Sequence, residues 1–277
     1  MIESSLVYVY STTSTRRFVG CGTLVEGGYI ATCQHVWDEA TKGKPDGAAQ
    51  VDIENPHAAW EARAAPRRNA TLADTCERAD GRPLDLVLLS PLEIPGGVMT
   101  LTVAVQDRFQ TGPGYAHAGR ADLNTRGEVR GLRDLDIDGV ITDTLSSDGR
   151  RQFTGNNPKS YWAKSGSSGS PVFIGNGQQL AGILSLSELG GEHEAFVVPG
   201  TVIRDYLVQL QAKDAAAKTG INPTLLQPAL AMIGAADIPI AEIAGRIEQY
   251  VKESQARGAE PVAPSNDGAD IDAVIAA

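Results

Sequence analysis

With 277 residues the chain is long enough to bury a full core, as one large β domain or as a domain with an appendage. Hydrophobic residues make up 42% and aromatic residues only 5%, while glycine, at 30 residues, suits many turns and short strands better than long helices. The formal net charge of −10, with no run of Lys and Arg able to line a basic groove, argues against nucleic acid and anionic membranes as partners. Met1-Ile2-Glu3-Ser4-Ser5 has neither a basic start nor an apolar stretch of signal-peptide length, and no segment reads as a bilayer span, so a soluble cytoplasmic protein is expected. Cys21, Cys33 and Cys76 are odd in number and lack metal-site spacing; they read as reduced thiols, leaving the fold to be held by packing alone.

In chain order, Leu6-Val7-Tyr8-Val9-Tyr10 is rich in strand formers and ends in polar turn residues from Ser11 to Thr15. Phe18 to Val25 is a second strand, and Gly27-Gly28 turns it tightly into Tyr29-Ile30-Ala31-Thr32, after which Cys33-Gln34-His35-Val36-Trp37 begins a short helical turn. From Lys42 to Arg82 the chain is polar, charged and alanine-rich, and reads as edge strands and surface loops, with strand-like pieces at Gln50 to Ile53 and Ala59 to Ala62. Leu84-Asp85-Leu86-Val87-Leu88-Leu89 has the pattern of a buried strand interrupted by one carboxylate. An unpartnered carboxylate there is expensive, so Asp85 either finds a donor or sits at the strand edge capping the turn after Pro83. Prolines and glycines between Pro91 and Gly97 close this first set of strands. A second set follows at Thr100 to Val105, Gly114 to Ala118, Gly127 to Leu132 and Val140 to Leu145, a spacing that fits a barrel or a sandwich. Further strands are expected at Gln179 to Ser187 and Ala195 to Pro199, and Thr201 is placed to cap a helix with Val202, Ile203, Tyr206, Leu207 and Leu210 on one face.

Three short segments carry chemistry. Lys164-Ser165-Gly166-Ser167-Ser168-Gly169-Ser170-Pro171-Val172-Phe173 has too little side chain for a core; its small residues allow a tight turn with backbone N–H groups close to a ligand and one exposed hydroxyl. Its Gly-x-Ser-Gly-x-Pro pattern resembles the nucleophile loop of trypsin-like serine peptidases. Gly20-Cys21-Gly22-Thr23-Leu24 followed by Tyr29-Ile30-Ala31-Thr32-Cys33-Gln34-His35 is similar to the family's histidine segment, and Leu84 to Leu89 to its aspartate segment. The resemblance covers roughly residues 6 to 212 and runs in the order His35, Asp85, Ser168, which is the chymotrypsin-like order.

The resemblance implies two packed six-stranded antiparallel β-barrels and a closing helix over residues 1–215. It implies an acyl-enzyme route to peptide cleavage, with Ser168 as nucleophile, His35 as general base and Asp85 orienting the imidazole. Gly166 and Ser168 would supply the oxyanion hole; Ser185 would bond the Asp85 carboxylate, and Leu186 and Ser187 would pair with an extended peptide. It implies no metal and no cofactor. The chain departs from secreted members at Ser167, where those carry a carboxylate that binds a newly cut N-terminus; activation by such cleavage is therefore not expected, and the loop Phe153 to Ser167 is ordered either permanently or by a partner. Glu188, Glu192 and Glu194 allow a basic side chain before the scissile bond, or are surface glutamates.

Beyond the resemblance, residues 216–256 have two apolar periodicities, Thr224 to Ile233 and Ile240 to Val251, and read as a helical hairpin that packs on the barrels or recruits a regulatory partner. Residues 257–277 read as a linker or tail. The leading expectation is an intracellular, bacterial-type serine endopeptidase acting on a protein or peptide. The alternatives are a peptide-binding pseudo-peptidase and an esterase on the same triad.

Overall fold

The computed structural model describes residues 5–12, 17–45, 49–54, 68–77, 83–91, 111–123, 129–155, 166–174, 180–185 and 194–219, with 242, 245 and 249. Contacts divide the chain into Met1–Ile203 and Arg204–Ala277. The first unit holds two closed, six-stranded antiparallel barrels, the architecture of the chymotrypsin-like proteins. One is built from β1 (Leu6–Ser11), β2 (Arg17–Leu24), β3 (Ile30–Thr32), β4 (Gln50–Glu54), β5 (Arg68–Glu77) and β6 (Pro83–Pro91), in the order β1-β2-β3-β6-β5-β4. The other comprises β7 (Gly112–Leu123), β8 (Val129–Leu145), β9 (Arg151–Gly155), β10 (Pro171–Ile174), β11 (Leu180–Ser185) and β12 (Glu194–Pro199), ordered β7-β8-β9-β12-β11-β10. The strand order is the same in both barrels. Closure leaves neither barrel a free edge.

Strands such as β1, β10 and β12 form where β-branched and aromatic residues run together, and buried apolar side chains fill each barrel. Leu24, Ile30, Ile53, Leu86 and Leu88 are fully buried in the first. Phe153, Val172, Leu184, Ile137 and Val197 belong to one buried cluster in the second. Each such side chain contributes about 1.5–3 kcal/mol on leaving water, which is how the fold stands without a crosslink. All three cysteines are free and buried.

Helix α1 (Gln34–Thr41) follows β3 directly and buries Val36, Trp37 and Ala40. Helix α2 (Gly200–Thr219) begins in the first unit and continues into the second. No helix among the described residues is long and apolar enough to cross a membrane. Of the expected helical hairpin only Glu242, Gly245 and Gln249 are described, each helical and exposed; residues 257–277 lie outside the described residues.

Four expectations change in detail. Val129 to Leu132, within the strand expected at Gly127 to Leu132, and the strand expected at Val140 to Leu145 are parts of one 17-residue strand, β8. Between them Asp134, Asp136 and Asp138 alternate with Leu135 and Ile137, which gives a two-faced strand paired with β7 from Val129 to Ile141. The polar stretch before Arg82 contains the ten-residue β5, whose apolar residues are too sparse to reveal it. Phe153 to Gly155 belong to β9, where Phe153 fills the barrel, and not to a loop. Helix α2 starts at Gly200, so Thr201 lies inside its first turn instead of preceding it. Ala59 to Ala62 and Thr100 to Val105 fall outside the described residues.

Candidate active site

The first barrel brings His35 and Asp85 together through strand register. Strand β3 pairs with β6 as Ile30↔Leu89, Ala31↔Leu88 and Thr32↔Val87; carried two residues further, this sets Asp85 opposite position 34. There β3 has ended and α1 has turned the chain, leaving His35 in its first turn with its side chain 39% exposed, against 10% for Asp85. His35 Nδ1 lies 2.9 Å from Asp85 Oδ1 and 3.1 Å from Oδ2, and the His35 backbone N–H donates to Oδ1 at 3.3 Å. A carboxylate accepts only, so the ring proton sits on Nδ1 and leaves Nε2 as the acceptor nitrogen. Burial pushes the Asp85 carboxyl up, but hydrogen bonds from His35 and Ser185 outweigh it and hold the group down at about 2.

The second barrel completes this surrounding. Ser185, at the end of β11 and fully buried, donates its hydroxyl to Asp85 Oδ2. The turn joining β8 to β9 then supplies a residue that sequence reading did not single out. Arg150 is 2% exposed, donates from a terminal nitrogen to Ser185 Oγ at 2.7 Å, and has the same nitrogen 3.7 Å from Asp85 Oδ2. Its Nε donates to Asp148 at 2.7–2.9 Å, and its plane lies 5.0 Å over the Phe196 ring. The Asp148-Gly149 pair in this turn is legible as a hairpin signal, but nothing in one arginine after a turn distinguishes a buried cation from a solvated one.

Ser168 lies in a turn fastened on three sides. Strand β2 takes one side: the Cys21 N–H donates to Ser168 O at 2.8 Å, Cys21 Sγ to Gly166 O at 3.3 Å, and Thr23 Oγ1 to Gly169 O at 2.8 Å. On β11, Gly169 N–H donates to Leu184 O at 2.7 Å and Leu184 N–H to Ser170 O at 2.8 Å. On β7, Ser167 Oγ donates to Gly119 O at 2.9 Å and Gly119 N–H to Ser170 Oγ at 3.3 Å. Gly166 and Gly169 have φ of 98° and 90°, the left-handed region that side chains avoid. A Cβ on Gly169 would collide with the Cys21 carbonyl, and one on Gly166 would come within 2.6 Å of the Phe18 ring. Ser168 is 3% exposed.

Ser168 is joined to Cys21, and Gly20 beside it packs on Val36, the residue after His35. Of the residues expected from sequence, His35, Asp85 and Ser185 are thus joined by hydrogen bonds, and Ser168 and Gly166 sit in the adjoining turn. Leu186, Ser187, Glu188 and Glu192 lie outside the described residues, and Glu194 opens β12.

Cys33 Sγ, His35 and Asp85 offer ligand atoms within 4.8 Å of one another. Burial pushes the Cys33 thiol well up, which keeps it protonated, and it donates to Leu184 O at 3.3 Å. A protonated thiol binds metal poorly, and the two other groups are already bonded to each other. The cluster fits a hydrogen-bonded pair with a packed thiol behind it. No family model matches the chain, and no curated protein matches it.

Proposed function

We propose that this chain is a serine endopeptidase with His35, Asp85 and Ser168 as its catalytic triad. The observation that carries the reading is the His35–Asp85 hydrogen bond, backed by Ser185 from the second barrel, beside a turn that ties Ser168 to β2, the hairpin partner of the strand β3 that leads to His35. In this reading Ser168 Oγ attacks the scissile carbonyl carbon as His35 Nε2 takes its proton. The oxyanion is received by the backbone N–H groups of Gly166 and Ser168. On collapse the C–N bond breaks, the amine leaves with the proton held by His35, and water repeats the sequence on the acyl ester to free Ser168. Asp85 holds the tautomer and stabilises the imidazolium. Leu186 and Ser187, which follow β11 in the sequence, pair with an extended protein or peptide substrate.

The turn is fastened by this chain's own residues, with Ser167 bonded to Gly119, so the reading requires no cut N-terminus for activation. Three buried free thiols fit a reducing compartment.

The test is an alkyl fluorophosphonate on the full chain. Covalent labelling of Ser168, lost in Ser168→Ala, is expected. Absence of labelling in folded protein would favour a peptide-binding pseudo-peptidase. Labelling accompanied by turnover of esters but of no peptide library would favour an esterase.

A further inference from the structure

Beyond the triad and Ser185, the second barrel sets a further polar group close to Asp85, the Arg150 guanidinium at 3.7 Å, and nothing in the peptidase reading requires a buried cation there. A guanidinium is costly to bury unless its donors and charge are met. Here they are met by Asp148, by Ser185 and by the face of Phe196, and the turn is itself held by Ser146, whose N–H donates to Arg150 O at 2.8 Å and whose hydroxyl bonds Asp148. Such a construction fixes the guanidinium in one place.

We propose that Arg150 is a positioning residue that sets the direction of the hydrogen-bond chain behind His35 and offsets one of the two carboxylate charges it contacts; the proposal rests on the peptidase reading for its catalytic consequence. Arginine has donors and no acceptor. Ser185 Oγ must therefore accept from Arg150, and its single proton is committed to Asp85 Oδ2. Asp85 in turn is left to accept from His35 Nδ1, so one polarity runs from Arg150 through Ser185 and Asp85 to the ring. The charges follow the same line. Asp85, Asp148 and Arg150 together carry −1, which His35 balances when it takes a proton. Without the arginine they would carry −2, and the ring would hold its proton to higher pH. Among the described residues, Cys33 also lies within 4.8 Å of the His35 and Asp85 ligand atoms, and α1 carries Asp38, which Gln34 bonds at 2.7 Å, and Glu39, which Arg17 and Lys42 pair.

The experiment follows the His35 ring signals by NMR across pH, and the rate of alkyl fluorophosphonate labelling over the same range, in the full chain. In Arg150→Met the ring transition and the acid limb of labelling are expected to move up by about one pH unit, with a roughly tenfold slower plateau. Arg150→Lys keeps the charge but not the fork; its limb should stay in place while its plateau falls. The double variant Arg150→Met/Asp148→Asn removes both charges and should return the limb to the wild-type position with the plateau still low. It also serves if the single variant does not fold. A folded Arg150→Met, or a double variant, with wild-type limb and plateau would overturn the proposal. Wild-type protein that is not labelled at all would overturn the peptidase reading instead, and the ring transition would still decide the role of Arg150.

Discussion

Asp85 shows how one carboxylate is made acceptable inside a barrel wall. Its cost of burial is met by His35, by Ser185 and by a guanidinium 3.7 Å away, so that it stays ionised with its carboxyl held at about 2. Because that value is depressed, the stabilisation it brings is present above the ordinary carboxylate range and is lost as the pH falls towards 2. Comparing acid denaturation of wild type and Asp85→Asn, we expect a difference on the order of 2 kcal/mol near pH 5 that vanishes by about pH 2. The same substitution offers His35 an amide that can settle on the wrong tautomer. Fluorophosphonate labelling should fall by roughly 10⁴-fold while the circular dichroism spectrum is kept. At this scale the sequence made the carboxylate conspicuous, because an Asp inside Leu84 to Leu89 demands a partner. It said nothing of Arg150, whose meaning lies entirely in what surrounds it.

Two elements carry testable consequences. In the Gly166 to Ser170 turn, Gly169→Ala would force a side chain onto the Cys21 carbonyl at a φ of 90°. A loss of about 3 kcal/mol in denaturant unfolding and the disappearance of labelling at Ser168 are expected. The second element is the β7–β8 ribbon, where His117, 7% exposed, lies 2.8 Å from Asp136 and 3.7 Å from Asp134, and Tyr8 of β1 donates to Asp134. Burial pulls the His117 ring down, but the two carboxylates outweigh it and raise it above the ordinary imidazole value. A raised value gives stabilisation that is full below the ordinary value and is lost as the pH rises through the folded one. Thermal melts between pH 5.5 and 9 should therefore show a decline in wild type that is absent from His117→Asn. The turn was legible because small residues at fixed spacing have few other uses. The His117 cluster was not, since its members are 17 and 126 residues from Asp134.

Across the first unit, the two barrels meet through backbone as much as through side chains. Strand β2 of one barrel bonds the turn before β10 of the other at Cys21 and Thr23, and Ser185 of the second barrel closes on Asp85 of the first. The polar seam so formed holds the candidate site, with packed apolar barrels on either side and no disulfide among the three buried thiols. The melting temperature should therefore be the same within about 2 °C with and without a strong reductant, whereas a drop beyond about 4 °C would show a crosslink contributing to stability.

By itself the sequence determined the strand-rich class, the hairpin into His35, the buried strand bearing Asp85 and the small-residue turn around Ser168, because periodicity, turn chemistry and the cost of a buried charge are local properties. Only the tertiary structure decided that β8 runs unbroken, that β5 completes the first barrel, and that Arg150 stands behind Asp85 rather than in solvent. Those outcomes depend on register and on which barrel faces which, and the energies that select them are shared among residues far apart in the chain.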